Sequence, residues 1–335
     1  GSIVSFMSPG RKPRRSPAST AGRERMMRST LPDFSGVVLV AERGRRVYHK
    51  AFGYKNFVTK APVDTTAIFE LASVSKQFTA MIVMMLKEKG LLSFDDDIDR
   101  FLPDLPWNGI TIRHLLNHTS GLPDYQAIMD QYWDKTLVAG NDDNIAYLKR
   151  YRPKPHFAPG EKYEYSNTGY MLLASIAEKA SGRDFIDLSR ERIFRPLEMN
   201  QTDIRNKETK LGLPEMAWGH IYQPEKNAYT PADSFPAFNY SIWLGNRKGP
   251  GRLSSTTSDL LQWDQALYAG ELVHDETLKE AFAPTRLNDG STSAYGFGWM
   301  LDDHPRLGRK IFHTGDNPGY KTLIVRYPEV NKTLI

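Results

Sequence analysis

Residues 73–90 read as one helix with almost no polar stripe, and that places a demand on the whole fold. Met81, Ile82, Met84, Met85 and Leu86 cover most of its sides. A helix apolar nearly all round has to be buried at the centre of a molecule. Gly90 ends it, because glycine enters the left-handed conformation of a helix stop without strain. At its start, Ser73 and Lys76 are three residues apart and share one face. A serine hydroxyl is a poor nucleophile until its proton is taken. A lysine among apolar groups has its pKa lowered enough to take it. Backbone N–H groups at a helix N-terminus also favour the negative charge that develops in acyl transfer. Such a Ser-x-x-Lys arises by chance about once in a chain of this length, so it needs support from elsewhere in the sequence.

Composition narrows the class. With 335 residues, 40% hydrophobic and 25% charged, the chain has the balance of a globular protein with a sizeable core. No apolar run approaches a membrane-spanning length; Met81 to Leu86 is followed at once by Lys87, Glu88 and Lys89. There is no cysteine, which removes disulfides, thiol catalysis and cysteine metal sites and leaves the compartment open. The net charge of +5 suggests nucleic-acid binding only until it is located. Residues 1–30 carry seven Arg or Lys against Glu24, a net of +6, so the other 305 residues sum to −1. The basic character belongs to a tail, and no nucleic-acid partner is expected.

In order along the chain, residues 1–30 mix Pro, Ser, Gly and Arg without periodicity and read as a basic, disordered tail. Residues 31–335 read as a single domain. Its sheet is expected from residues of about 34–66 and 285–335, and a helical lobe from about 70–284. A hairpin comes first, with strands at residues 36–41 and 46–52 about a turn at Arg43-Gly44. Helices are expected at residues 95–101, 111–116, 144–151, 167–181 and 258–268. Strands return at 295–301, 309–314 and 320–326, and another begins at Lys332. The expected fold is α/β (α+β), with an antiparallel sheet built from both chain ends, flanked by helices, and a mostly helical second lobe. A groove between them is the default place for a site.

Three motifs line up. Ser73-Val74-Ser75-Lys76 is the only Ser-x-x-Lys in the chain, Tyr165-Ser166-Asn167 follows about 90 residues on, and His313-Thr314-Gly315 lies on a late strand. Together with Ile112-Arg113-His114-Leu115-Leu116-Asn117-His118-Thr119-Ser120-Gly121 and Gly251-Arg252-Leu253-Ser254-Ser255-Thr256, they resemble the serine β-lactamase and penicillin-binding-protein superfamily. The Tyr-x-Asn form is most similar to class C β-lactamases, D-alanyl-D-alanine peptidases and β-lactamase-fold esterases. The resemblance covers roughly residues 34–335.

That resemblance implies an acyl-enzyme on Ser73, with Lys76 and Tyr165 acting as general base and Tyr165 then protonating the leaving group. Asn167 would hold the substrate amide or the Lys76 ammonium. Thr314 and Gly315 would lie along the substrate, and the N–H groups of Ser73 and Asp316 would form an oxyanion hole. No metal or cofactor is implied. The substrate would be an ester or a D-amino-acid-type peptide, with a β-lactam as the alternative and a scaffold or sensor domain without turnover as the non-enzyme reading. Periplasmic or secreted placement would fit the resemblance, although residues 1–30 show no signal peptide. His313 stands where β-lactamases carry lysine. If it faces the groove, its protonated form would help hold Tyr165 ionised and attract an anionic substrate. The short strand at Lys332 is expected to leave an uncovered sheet edge, hence a homodimer or a longer native chain. Tyr54-Lys55-Asn56 and His118-Thr119-Ser120-Gly121 imitate the second and third motifs and read as a strand end and a helix-capping loop. His114 and His118 at a four-residue spacing lack a third metal ligand.

Overall fold

The computed structural model describes Ala21, Gly22, Arg25 and residues 33–335. Ala21, Gly22 and Arg25 are helical, and the rest of the expected tail lies outside the described residues. Strands β1 (Gly36–Glu42) and β2 (Arg45–Phe52) form the hairpin, turned at Arg43 and Gly44, both with positive φ. Four late strands join them: β3 (Met300–His304), β4 (Gly308–Asn317), β5 (Tyr320–Tyr327) and β6 (Lys332–Leu334). The order β3-β4-β5-β6-β1-β2 is antiparallel throughout, so the two chain ends do build one sheet.

Two details differ from the expectation. The strand expected at 295–301 begins only at Met300, because residues 295–300 fold into a tight turn. Gly296 N–H donates to Trp299 O at 2.9 Å, and Gly298, at φ +82°, rests against the Lys76 carbonyl, where a Cβ would stand 2.9 Å from the oxygen. Nor is the strand at Lys332 an edge. Leu334 pairs with Val40 on one side and Val325 on the other, so β6 is the bond that closes the two chain ends into one sheet. The open edges are β2 and β3. An edge at Lys332 therefore gives no ground for a homodimer.

The central helix α1 (Lys76–Glu88) follows a 3₁₀ turn, Ala72–Ser75, and every residue from Lys76 to Met84 is buried. Five more helices take part in the argument: α2 (Ile112–Leu116), α3 (Tyr125–Tyr132), α4 (Asn141–Tyr151), α5 (Asn167–Ser181) and α6 (Thr257–Ala269). The helix expected at 95–101 shrinks to a 3₁₀ turn, Ile98–Arg100. There Asp97, in an extended conformation, caps the turn through its carboxylate, which accepts the Asp99 N–H at 2.9 Å, so the helical stretch starts only at Ile98. On the other side of α1, Phe78 stacks on Trp263 of α6 with centroids 4.1 Å apart, and Trp263 Nε1 donates to Gln77 Oε1. Helix α6 is tied to the sheet by a buried ion pair: Arg326 Nε donates to Asp264 Oδ1 at 2.6 Å, and Thr333 Oγ1 donates to Oδ2 at 2.7 Å.

Candidate functional site

Ser73 sits on the 3₁₀ turn, not within the α-helix proper, and its backbone is fixed from three sides. Leu71 N–H donates to Leu253 O at 2.8 Å, and Leu253 N–H donates to Ser75 Oγ at 3.1 Å. Residues Phe69–Glu70 and Leu253–Ser255 pair as short strands. Ala72, directly before the serine, adopts φ +50°, a conformation that L-residues rarely take. On the third side is Gly315, buried on β4. The Cβ of any other residue there would run into Leu71 O and Thr322 Oγ1 and touch Ala72 Cβ at 3.2 Å. Gly315 therefore lies beneath the nucleophile turn, its side-chain position filled by protein.

Lys76 is fully buried, with Nζ 3.0 Å from Ser73 Oγ and donating to Pro250 O at 2.9 Å. Burial, reinforced by the Arg247 charge, holds its pKa well below the ordinary lysine value. Asn167 is not among its partners; it stands exposed at the first position of α5, whose cap is Ser166. Tyr165 packs its ring 4.7 Å from Lys76 Nζ. Its hydroxyl is buried, with the Ser73 hydroxyl close enough to act on it. Burial pushes this phenol well above its usual pKa, and the Ser73 hydroxyl offsets only part of that effect. The structure thus brings Ser73, Lys76 and Tyr165 together.

His313 departs from the groove-facing expectation. It is fully buried, its Nδ1–H donates to Thr314 O at 2.6 Å, and its Nε2 stands 2.9 Å from the Tyr295 hydroxyl. That tautomer makes Nε2 the acceptor. Burial and the neighbouring Lys76 bring its pKa down to about 3, so it carries no charge to lend Tyr165 at neutral pH. Thr314 and Asp316 point outward, and Asp316 is paired with Lys321. Pairing with β3 ends at Phe312, which leaves that edge of residues 313–317 without a strand partner.

His118 and Tyr295 were missed. His118 is buried at φ +59°, accepts the Ser166 N–H on Nδ1 at 3.0 Å, and packs its ring 4.4 Å from that of Tyr165 and 4.6 Å from that of Tyr295. It is held neutral by burial, with the charge of Lys76 acting in the same direction. The motif-like spelling of residues 118–121 was the available signal; its reading as a helix cap overlooked the ring behind the tyrosine. His114 instead accepts the Thr111 N–H at the start of α2. A pocket of about 490 Å³ lined by Asn141, Glu178, Arg190, Lys248 and Arg252 is separate from this cluster.

The Beta-lactamase family model matches residues 29–335. The chain is 44% identical over 303 residues to penicillin-binding protein 4* of Bacillus subtilis, covering 90% of this chain and 67% of that one. The chain spans only about half to two thirds of the length of the curated relatives it matches. A penicillin-binding protein from Bacillus halodurans superposes with a TM-score of 0.79 at 25% identity, over 93% of this chain and 92% of that one. A D-amino acid amidase from Ochrobactrum anthropi gives 0.71 at 27% identity, over 89% and 84%.

Proposed function

This chain belongs to the Beta-lactamase family of serine hydrolases, and we propose that it cleaves carboxylic esters or D-amino-acid-type peptides and amides through an acyl-enzyme on Ser73. The observation that carries this reading is a buried Lys76 with Nζ 3.0 Å from Ser73 Oγ. Burial disfavours the Lys76 ammonium, and the neutral amine this makes accessible offers its lone pair to the hydroxyl proton as Oγ bonds to the substrate carbonyl carbon. The oxyanion formed would rest on the N–H groups of Ser73 and Asp316, the latter on the part of β4 that β3 does not cover. Tyr165, kept as a phenol by burial, passes its proton to the departing alcohol or amine and regains one from the Lys76 ammonium. Water then adds to the acyl carbonyl by the same route and frees Ser73. In this scheme the base is Lys76, and Tyr165 is the proton carrier. Asn167 and Thr314, both exposed, would meet the substrate's polar groups. The likeness to a D-amino acid amidase supports the D-amino-acid option.

The test is intact mass after incubation with a fluorophosphonate, an aryl ester and a penicillin in turn, for the protein and for Ser73→Ala. The phosphonate should add once, at Ser73, and the Ala variant should lose both labelling and ester turnover. Undiminished labelling of the variant would remove Ser73 from the role.

A further inference from the structure

Tyr165 lies on a stretch with no regular structure of its own: residues 162–166 belong to neither helix nor strand. One residue from another part of the chain fixes it. His118 accepts the backbone N–H groups on both sides of the tyrosine, that of Glu164 on its carbonyl oxygen at 2.9 Å and that of Ser166 on ring Nδ1 at 3.0 Å. Its ring also packs 4.4 Å from the Tyr165 ring. His118 is anchored in turn to α2, where the next residue, Thr119, donates its N–H to His114 O at 2.9 Å. At φ +59°, the histidine turns both its ring nitrogen and its carbonyl toward residues 164–166.

An imidazole is a poor choice for filling alone. With Nδ1 accepting and the ring neutral, the proton sits on Nε2. There it is buried without a hydrogen-bond partner, beside the rings of Tyr165, Tyr170 and Tyr295. A buried donor left unpaired is costly, and a leucine would fill the space without that cost. What a leucine lacks is the acceptor for the Ser166 N–H.

We propose that His118 is a positioning residue for Tyr165, holding the phenol where it can protonate a poor leaving group as the acyl-enzyme forms on Ser73. The proposal rests on the Ser73 hydrolase reading and gives that site its leaving-group range. A nitrophenolate departs as the anion and needs no proton. An alkoxide or an amine must take the Tyr165 proton as its bond to the carbonyl carbon breaks, and proton transfer demands hydrogen-bond reach. A misplaced Tyr165 therefore shows as a selective loss of poor leaving groups.

The experiment measures kcat/KM for one acyl group carried by p-nitrophenol, trifluoroethanol or p-nitroaniline, with phosphonate labelling of Ser73 alongside. The proteins are the parent, His118→Leu, His118→Gln and His118→Asn. Asparagine keeps an acceptor oxygen near the place of Nδ1 and tolerates the positive φ, whereas glutamine carries its amide further out, near the place of Nε2. In His118→Leu and His118→Gln the trifluoroethyl ester and the anilide should lose about 10²-fold, while the nitrophenyl ester and the labelling rate stay within about threefold of the parent. His118→Asn should recover most of the ratio between poor and good leaving groups. Equal losses for every leaving group in folded variants, as a merely loosened fold would give, overturn the proposal, and so does an unchanged ratio. Where His118→Leu does not fold, the Asn and Gln variants decide, and equal ratios in the two overturn it. In each of these cases nitrophenyl ester turnover by the parent leaves the hydrolase reading standing. Absence of both turnover and labelling in the parent overturns that reading and this proposal with it.

Discussion

Gly315→Ala tests whether the nucleophile is positioned by close approach of two backbones. A single methyl group is added, to a strand residue that needs no unusual dihedral. The methyl has nowhere to go, because Leu71 O, Thr322 Oγ1 and Ala72 Cβ already occupy its place. Thr322 cannot simply rotate away without giving up its 2.7 Å bond to Leu71 O. Rotation would in any case leave the Leu71 carbonyl in the way. Restoring ordinary contact therefore means separating β4 from the Leu71–Ala72 backbone by roughly 1 Å. Overpacking of this kind costs about 1–3 kcal/mol. A displacement of about 1 Å at reacting atoms costs on the order of 10²-fold in rate.

The assays are the urea midpoint and kcat/KM on an aryl ester, with the rate of phosphonate labelling as a check on the serine alone. Expected are a modest fall in midpoint, a loss of about 10²-fold in kcat/KM, and a parallel loss in labelling. The double variant with Thr322→Ala should not recover activity, because the Leu71 carbonyl remains. Wild-type labelling and an unchanged midpoint in Gly315→Ala would refute the argument. A fall in activity no larger than the unfolded fraction would refute its positional part.

Other outcomes follow from the buried titratable groups. Lys76→Met, close in length and without a proton acceptor, should slow acylation by about 10²–10⁴-fold while leaving the urea midpoint equal or higher, since a desolvated amine is removed; stopped-flow acylation and denaturation curves read the two separately. His313 and His118 are neutral when folded, with pKa values held below that of the unfolded chain. Below about pH 6.5 the unfolded state binds more protons, so stability falls as pH falls, by about 1.4 kcal/mol per pH unit for each histidine. The loss from His313 ends near its folded value of about 3. Urea unfolding at pH 5.5 and 7.5 should show it, and His313→Asn should flatten the slope by one proton; an equal slope in that variant would contradict the assignment.

The parts legible in the sequence were those set by local chemistry. Helix α5 has both bounds as expected, since Ser166 caps one end and Gly182, in the left-handed conformation, closes the other. The hairpin turn and the union of the two chain ends were equally readable from strand patterns. What could not be read depends on neighbours far along the chain. The alternation of β4 puts His313 and Gly315 on one face without saying whether that face meets solvent or protein. It meets Tyr295 and the turn before Ser73, and so a residue expected to bring charge is an uncharged packing group. The same holds for Lys76. Ser-x-x-Lys fixes a distance, but its chemistry depends on whether the amine is protonated, and that is decided by burial, by a carbonyl 174 residues later and by the Arg247 charge. Proximity is a local property of a motif, whereas protonation is set by the whole fold. A sequence motif of this kind therefore predicts which atoms meet more securely than which of them holds the proton.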